Sequence, residues 1–230
     1  MRDGVSMWVK ICGVRDEAAL AAVTAARPDA IGLNFFPRSP RYIEPDAAAR
    51  FAQALPPGIE AIGVFVNATR ERAEEVAAIV TQVGLHGVQF HGDESPDDLA
   101  AVMAKCPAGT KAVRSWTADG DWARLPRYVE ACRAGGVELS AILMDAAAPG
   151  QYGGTGQTVD WSALRAHYDF TTWPRLILAG GLKVENVAEA IRAVQPWGVD
   201  VASGVESAPG VKDSQRVRQF IEAARASVEP

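Results

Sequence analysis

VKICG, residues 9–13, is a short apolar run that stops abruptly at a glycine. Seven later segments repeat this pattern: AIGLNFF from residue 30, AIGVFV from 61, GVQFH from 87, KAVRSW from 111, AILMD from 141, RLILAGG from 175 and GVDVASG from 198. Such runs are typical of strands in a parallel sheet, because helices cover both faces of such a sheet. The sequence therefore predicts eight buried parallel strands.

The segments between these runs have the apolar spacing of helices. Four sets at i, i+3, i+4 and i+7 show it: Ala19, Ala22, Val23 and Ala26; Val76, Ile79, Val80 and Val83; Val184, Val187, Ala188 and Ile191; Val217, Phe220, Ile221 and Ala224. Alternating strands and amphipathic helices form a parallel sheet, because each crossover returns the chain to the same end. Eight such units favour a single (βα)8-barrel (TIM barrel) domain over residues 1–230, with an open doubly wound sheet as the alternative.

Local chemistry places the starts of two helices. Pro45 and Asp46 suit the first turn of the second helix, because the N–H that proline lacks would be unpaired there and an acidic group is favoured. Ser95, Pro96 and Asp97 give the same signal for the fourth helix. Both starts agree with the boundaries that the strand pattern predicts.

Composition and charge narrow the class of protein. The 230 residues include 23 Lys and Arg against 28 Asp and Glu, which gives a net charge of -5. This balance argues against general binding to nucleic acid or to an anionic membrane. Residues 1–14 lack the apolar core of a signal peptide, and no stretch approaches the roughly 20 apolar residues that span a bilayer. We expect a cytoplasmic protein.

Side chains alternate between the two faces of a strand, so parity predicts which residues point into the barrel. In VKICG, the apolar pair Val9 and Ile11 should face the helices, which leaves Lys10 and Cys12 inside. The same reasoning places six further residues inside the barrel: Gln89, His91, Leu143, Asp145, Asp200 and Ala202. Because barrel enzymes keep their reactive groups at the carboxyl ends of the strands, these titratable residues are candidates for chemistry.

Cys12 and Asp145 are the strongest catalytic candidates. A free cysteine is more often a small buried apolar residue, but a neighbouring cation such as Lys10 would favour its thiolate and make it a usable base. Asp145 either caps the next turn or, as its inward parity favours, acts chemically. Cys106 and Cys132 lie in or beside predicted helices and are interpreted as structural. The odd number and wide spacing fit neither a disulfide framework nor a CxxC metal site.

Glycine-rich segments follow the last strands and predict a phosphate site. Bare backbone at such turns offers N–H groups to an anion, and barrels commonly bind phosphate after strands seven and eight. The alternative is that the glycines only make tight turns. The loop 146–158 follows the sixth strand, and we expect it to close over the same phosphate. The expected contacts are Gly154, Gly156, Gly180, Gly181, Ser203 and Gly204.

The loop after the second strand offers an arginine for a carboxylate. Arg41 has the planar fork that grips a carboxylate at two points, although Arg38 is an alternative and a solvated surface arginine is equally compatible. His91 is ambiguous, since a lone histidine is as often structural as catalytic. We expect His91 and Asp200 to contact the substrate.

Seven segments together resemble the phosphoribosylanthranilate isomerase family of tryptophan biosynthesis, from about Val9 to Phe220. They are VKICG, FFPRSPRYI, GVFVN, VQFHGDE, LMDA with YGGTGQTVDW, LAGGL and VDVASGVESAPGVKD. The resemblance implies an Amadori rearrangement, with Cys12 as general base and Asp145 as general acid. It also implies that Arg41 binds the anthranilate carboxylate. Neither a metal nor an organic cofactor is expected.

Small departures and rival interpretations accompany this resemblance. Gln157 and Val159 stand where the family usually has lysine and phenylalanine, so the charge and packing of that loop differ. Two other phosphate-binding barrels, the indole-glycerol-phosphate-forming enzyme and the histidine-pathway isomerase, lack a cysteine opposite an aspartate. A non-catalytic sensor of a phosphorylated metabolite would need the glycine loops alone. The expected partner is a phosphorylated small molecule, bound by a monomer or homodimer.

Overall fold

The structure is a computed structural model that describes residues 7–117, 120–145 and 159–228. Strands and helices alternate along these residues. The first half contains β1 (Trp8–Cys12), α1 (Glu17–Ala25), β2 (Ala30–Asn34), α2 (Pro45–Gln53), β3 (Glu60–Phe65), α3 (Ala73–Val83), β4 (Gly87–Phe90) and α4 (Pro96–Met103). The second half contains β5 (Lys111–Thr117), α5 (Arg124–Ala134), β6 (Leu139–Asp145), α6 (Trp161–His167), β7 (Arg175–Leu178), α7 (Val187–Val194), β8 (Gly198–Val201) and α8 (Ser214–Ala226).

The eight strands form a closed parallel barrel in chain order, which confirms the predicted barrel over the open sheet. Closure is made by β1 and β8, where Lys10 lies opposite Asp200 and Ile11 opposite Val201. A closed sheet leaves no strand with unpaired edge groups. All carboxyl ends of the strands therefore meet at one mouth.

Two apolar clusters confirm the predicted parity. Val9, Ile11, Ile142 and Met144 belong to the large cluster between strands and helices. A small cluster fills the barrel interior: Val113, Ala141, Leu143, Ile177 and Ala179. The alternation of side chains thus separates a structural face from an interior face on each strand.

The two helix starts follow the predicted chemistry. Pro45 and Pro96 open α2 and α4, and Ser95 forms a reciprocal capping box with Asp98. The apolar set that includes Val184 begins before α7, whose first residue is Val187. Asn186 accepts from the Lys183 N–H and donates to the Gly181 carbonyl, so these residues form a turn before the helix.

A short hairpin, β9 (Glu206–Ala208) with β10 (Val211–Lys212), follows β8 and was not predicted. Gly210 has φ of 79°, and a Cβ there would lie 2.5 Å from the Pro40 carbonyl oxygen. The hairpin therefore packs closely on the loop after β2. It becomes part of the barrel mouth.

The described helices are short, and α8 is the longest with 13 residues. None of them has the length and hydropathy needed to cross a bilayer. Cys132 is buried in α5, and Cys106 lies just beyond the end of α4, which agrees with their interpretation as structural residues.

Candidate active site

A cavity of about 810 Å³ opens at the carboxyl ends of the strands. It brings together eight of the residues selected from the sequence: Cys12, Arg41, His91, Asp145, Gly180, Gly181, Asp200 and Ser203. They come from strands or loops that are far apart in the chain and adjacent only in the closed barrel. The location is the one where barrel enzymes carry out their chemistry.

The Cys12 thiol lies against β2, and the residue is 8% exposed. A Cβ on Gly32 would approach Cys12 Sγ to 2.7 Å, so the glycine leaves room for the sulfur. Burial raises the pKa of this thiol above its ordinary value, and the positive charges of Lys10, Lys212 and Arg41 only partly oppose that rise. The free protein therefore holds Cys12 mainly as a thiol at neutral pH.

Lys10 lowers the pKa of Cys12, as its predicted position suggests, but burial has the larger effect and the pKa of the thiol is raised overall. The Lys10 ammonium lies 2.8 Å from an Asp200 carboxylate oxygen, and both side chains are buried. Burial disfavours the charged lysine, yet Asp200 and Cys12 raise its pKa overall. Asp200 also raises the pKa of the thiol. Its negative charge offsets part of the positive charge that Lys10 places beside the sulfur.

His91 and Asp145 lie on the opposite side of the cavity. His91 Nε2 is 4.0 Å from Asp145 Oδ2, and the two side chains are 16% and 20% exposed. Burial lowers the pKa of His91 to about 4, and Lys10 and Arg114 contribute to that shift. The imidazole is consequently neutral at physiological pH.

Two polar side chains contact Nδ1 of His91. Gln89 Nε2 is 3.2 Å from His91 Nδ1 and donates to Ser115 Oγ over 3.0 Å. Ser115 Oγ is 2.7 Å from the same Nδ1. These contacts hold the ring so that Nε2 faces Asp145.

The glycines after β7 and β8 line the part of the cavity expected to hold phosphate. Gly180 and Gly181 have φ of 75° and 64°, a conformation that favours glycine. Ser203 lines the same wall. A Cβ on Gly204 would collide with the Leu182 carbonyl oxygen, so this glycine allows the two loops to pack together. Gly154 and Gly156 lie outside the described residues.

Arg41 is held in the cavity wall by a carboxylate that the sequence reasoning missed. Its Nε and Nη2 donate to the two oxygens of Glu206 over 2.8 and 2.7 Å. Lys212 Nζ lies 2.8 Å from Glu206 Oε1. We refer to Arg41, Glu206 and Lys212 as the Arg41 clamp. The Pro209–Gly210 pair signals a turn between Glu206 and Lys212, but it does not indicate the contact with Arg41. Arg38 also lines the cavity but is exposed.

Arg114, which is buried, supports the loops after β3 and β4 from outside the barrel. Arg114 donates to Glu94 over 3.0 Å and to the carbonyls of Phe90 and Gly92. Glu94 also accepts from the backbone N–H groups of Ala68 and Gly92. We refer to Arg114 and Glu94 as the Arg114 clamp. It secures the loop that begins at His91, and Arg114 is not part of the cavity lining.

No group of three or more histidine, cysteine, aspartate or glutamate side chains suited to a metal ion occurs within residues 7–117, 120–145 and 159–228. The cavity does bring together a thiol, carboxylates and a neutral imidazole. These groups can move protons between the atoms of a bound substrate. Fold and site together define a (βα)8-barrel enzyme.

Comparison with known proteins gives its family. The family profile described as N-(5'-phosphoribosyl)anthranilate (PRA) isomerase matches residues 9–223. The isomerase of that name from Myxococcus xanthus is 45% identical over 222 residues, which are 96% of this chain and 98% of the relative. This chain belongs to the PRA isomerase family and is an isomerase. The rival barrel families are thereby set aside.

Solved structures agree with this assignment. The phosphoribosyl anthranilate isomerase of Thermotoga maritima superposes with a TM-score of 0.79 at 32% identity, covering 96% of this chain and 99% of that one. Another phosphoribosyl anthranilate isomerase, in complex with reduced 1-(o-carboxyphenylamino)-1-deoxyribulose 5-phosphate, gives a TM-score of 0.76 at 31% identity with the same coverage. Monomers generated from the dimeric Thermotoga maritima enzyme have also been solved.

Proposed function

We propose that this chain converts N-(5-phosphoribosyl)anthranilate into 1-(o-carboxyphenylamino)-1-deoxyribulose 5-phosphate in tryptophan biosynthesis, with Cys12 as general base and Asp145 as general acid. The observation that carries the proposal is that a thiol and a carboxyl group from different strands open into one cavity. Family membership supplies the reaction. An Amadori rearrangement needs an acid and a base that act on different atoms of the substrate.

The acid acts first. Asp145, as a carboxylic acid, donates a proton to the ribose ring oxygen, so the bond from that oxygen to C1 breaks and a protonated Schiff base forms. The C2 proton becomes acidic because the positive nitrogen withdraws electrons from the adjacent carbon.

The base completes the rearrangement. Cys12 thiolate removes the C2 proton, and the electron pair of that bond neutralises the iminium group to give an enolamine. The enolamine gains a proton at C1 and loses the C2 hydroxyl proton to become the ketone. The catalytic groups then return to their starting protonation states. The positive Schiff base lowers the pKa of the buried thiol, so after ring opening Cys12 gives its proton to solvent water and becomes the thiolate that acts as base. Solvent returns one proton to Asp145 at the end of the cycle, which balances the proton that the thiol released.

The rest of the cavity accommodates the two anionic ends of this substrate. In the proposal, Arg41 binds the anthranilate carboxylate, and Gly180, Gly181 and Ser203 bind the phosphate with the Gly204 turn behind them. Gly154 and Gly156 belong to the same phosphate site. His91 and Asp200 contact the ribose or the bridging nitrogen. The active unit is the single domain 1–230, as a monomer or homodimer.

Turnover by the purified chain tests the proposal directly. Consumption of N-(5-phosphoribosyl)anthranilate is followed by its fluorescence, with no metal added. Cys12→Ala and Asp145→Asn should each lower kcat by roughly 10²- to 10⁴-fold, the range for general acid–base groups. Cys106→Ala and the exposed Asp97→Asn serve as matched controls. A folded wild-type protein that binds the substrate without converting it would instead indicate a sensor.

The pH dependence gives a second test of Cys12. Because burial raises the pKa of this thiol, kcat/KM should increase as the pH rises from 7 toward the ordinary thiol range. Alkylation of Cys12 by iodoacetamide in the free protein should accelerate over the same range. An alkylation rate that is already maximal at pH 7 would contradict the raised pKa.

A further inference from the structure

The Arg41 guanidinium uses only one of its two forked edges inside the protein. Glu206 accepts from Nε and Nη2, which form the side-on edge of the group. The other edge, formed by Nη1 and the second Nη2 hydrogen, faces a different direction because the guanidinium is planar. Arg41 lines the cavity, so an aromatic carboxylate can be gripped at this end-on edge.

Glu206 cannot follow a moving arginine, because every one of its carboxylate contacts is fixed. Oε1 accepts from Arg41 Nε and Lys212 Nζ, both over 2.8 Å. Oε2 accepts from Arg41 Nη2 over 2.7 Å and from the Gly210 N–H over 3.2 Å. The Glu206 side chain is 3% exposed and that of Lys212 is 0% exposed. Lys212 is itself fixed by the Ala202 carbonyl.

The charges of the Arg41 clamp add to one net positive charge. Two cations and one carboxylate are present, and Arg41 and Glu206 both line the cavity, so Arg41 is the cation of the clamp that an entering ligand meets. A carboxylate that enters therefore meets a cation whose orientation is already set. Pre-oriented groups lose less conformational entropy on binding, so more of the interaction contributes to affinity.

We propose that Glu206, secured by Lys212, is a positioning residue that aims the end-on edge of Arg41 at the substrate carboxylate and so makes the enzyme selective for a carboxylated arylamine. The inference rests on the proposed function. It assigns to the hairpin Glu206–Lys212 a role in substrate choice. The hairpin residues act through Arg41 and do not touch the reacting atoms.

The test compares two substrates that differ only in the carboxylate: N-(5-phosphoribosyl)anthranilate and the phosphoribosylamine of aniline. Glu206→Gln keeps the size of the side chain but loses its charge. It should raise KM for the carboxylated substrate about tenfold with kcat little changed, the pattern expected when ground-state binding is lost. KM for the aniline compound should stay within about twofold of the wild-type value.

The matched control is Glu75→Gln. Arg72 donates to the Glu75 carboxylate through Nε and Nη2 over 3.1 and 2.8 Å, the same side-on geometry on the exposed rim of the barrel. Glu75→Gln should leave the ratio of kcat/KM values for the two substrates unchanged. If Glu206→Gln does not fold, Glu206→Asp keeps the charge but shortens the reach, and the ratio should fall in that variant also.

An unchanged ratio in Glu206→Gln or Glu206→Asp would overturn the inference, as would an equal loss on both substrates, which a purely structural role predicts. Wild-type turnover of the carboxylated substrate is measured first and tests the proposed function separately. A wild-type enzyme that converts the substrate, with a Glu206 variant of unaltered selectivity, therefore contradicts the positioning role alone.

Discussion

Two arginine–glutamate pairs support the barrel mouth, and they have different roles. The Arg114 clamp lies outside the barrel, where the guanidinium donates to the carbonyls of Phe90 and Gly92 and holds loops in place. The Arg41 clamp lies at the cavity wall, where Glu206 and Lys212 fix one edge of the arginine. The direction in which each guanidinium points decides whether the pair shapes the backbone or presents a charge to a ligand.

The largest expected effect comes from removing each arginine in turn. Arg114→Met leaves the Glu94 carboxylate, which is 0% exposed, with backbone partners only, and should lower the free energy of unfolding by about 3–5 kcal/mol. Arg41→Met should cost less, because Glu206 keeps its ion pair with Lys212. Urea unfolding of both variants measures the difference.

The exposed pair of Arg133 and Glu138 provides the control. Arg133→Met should change the stability by no more than about 1 kcal/mol, as is usual for pairs near the surface. If Arg114→Met and Arg41→Met lower the free energy of unfolding equally, the two clamps do not differ in their contribution to stability.

The next largest effect is the pH dependence of folding stability, to which His91 and Cys12 should contribute in opposite pH ranges. The pKa of His91 is about 4 in the folded chain and near 6.5 when unfolded, so the unfolded state takes up a proton first as the pH falls. Stability should thus decline by about 3 kcal/mol between pH 6.5 and 4 and be independent of this group above pH 6.5. His91→Gln should show a smaller decline in denaturant titrations over that range.

Cys12 should act in the opposite direction. Its raised pKa means that the unfolded chain loses the thiol proton first as the pH rises, so stability should fall above the ordinary thiol pKa. Cys12→Ala should reduce this alkaline loss without changing the acid one. If stability falls equally at low pH in the wild type and in His91→Gln, the lowered pKa of His91 is not the cause of that fall.

The smallest expected effects come from a methyl group at one glycine on each side. A Cβ on Gly13 would collide with the Arg41 side chain, and at Gly92 it would lie 2.5 Å from the Asn67 backbone nitrogen. Gly13→Ala should cost about 1–2 kcal/mol in backbone strain and also raise KM for the carboxylated substrate by displacing Arg41. Gly92→Ala should lower stability but leave the preference between the two substrates unchanged.

Gly136→Ala is the control for Gly13→Ala. Gly13 and Gly136 both have φ of 80°, but a Cβ on Gly136 meets no atom within 4 Å. Both variants should lose stability through backbone strain, Gly13→Ala should lose more because of the collision with Arg41, and only Gly13→Ala should alter KM. A KM change in Gly136→Ala would show that backbone strain, and not the displaced arginine, affects substrate binding.

Strand parity predicted most of the geometry that positions the site. It placed Cys12, His91, Asp145 and Asp200 at one mouth, because the direction of a side chain in a strand depends only on its position along that strand. Parity does not give the balance of charges. Lys10 lies on the predicted face, yet its ion pair with Asp200 changes its influence on Cys12.

The Arg41 clamp shows where the sequence reasoning stopped. The resemblance directed attention to Arg41, but nothing in the local pattern around Glu206 indicates a partner 165 residues earlier in the chain. The contact depends on a short hairpin folded against the loop after β2. Irregular loops have no periodicity from which such a meeting can be derived.

The active site can form only after the barrel has closed. The Lys10–Asp200 and Arg41–Glu206 pairs join residues 190 and 165 positions apart, so both wait until the last strand and its hairpin have left the ribosome. Contacts of such large sequence separation form late in folding, after the entropy of closing a long loop has been overcome. A chain that lacks β8 and its hairpin therefore lacks both ion pairs even when most of its helices have formed, and the edge of β1 that pairs with β8 stays open.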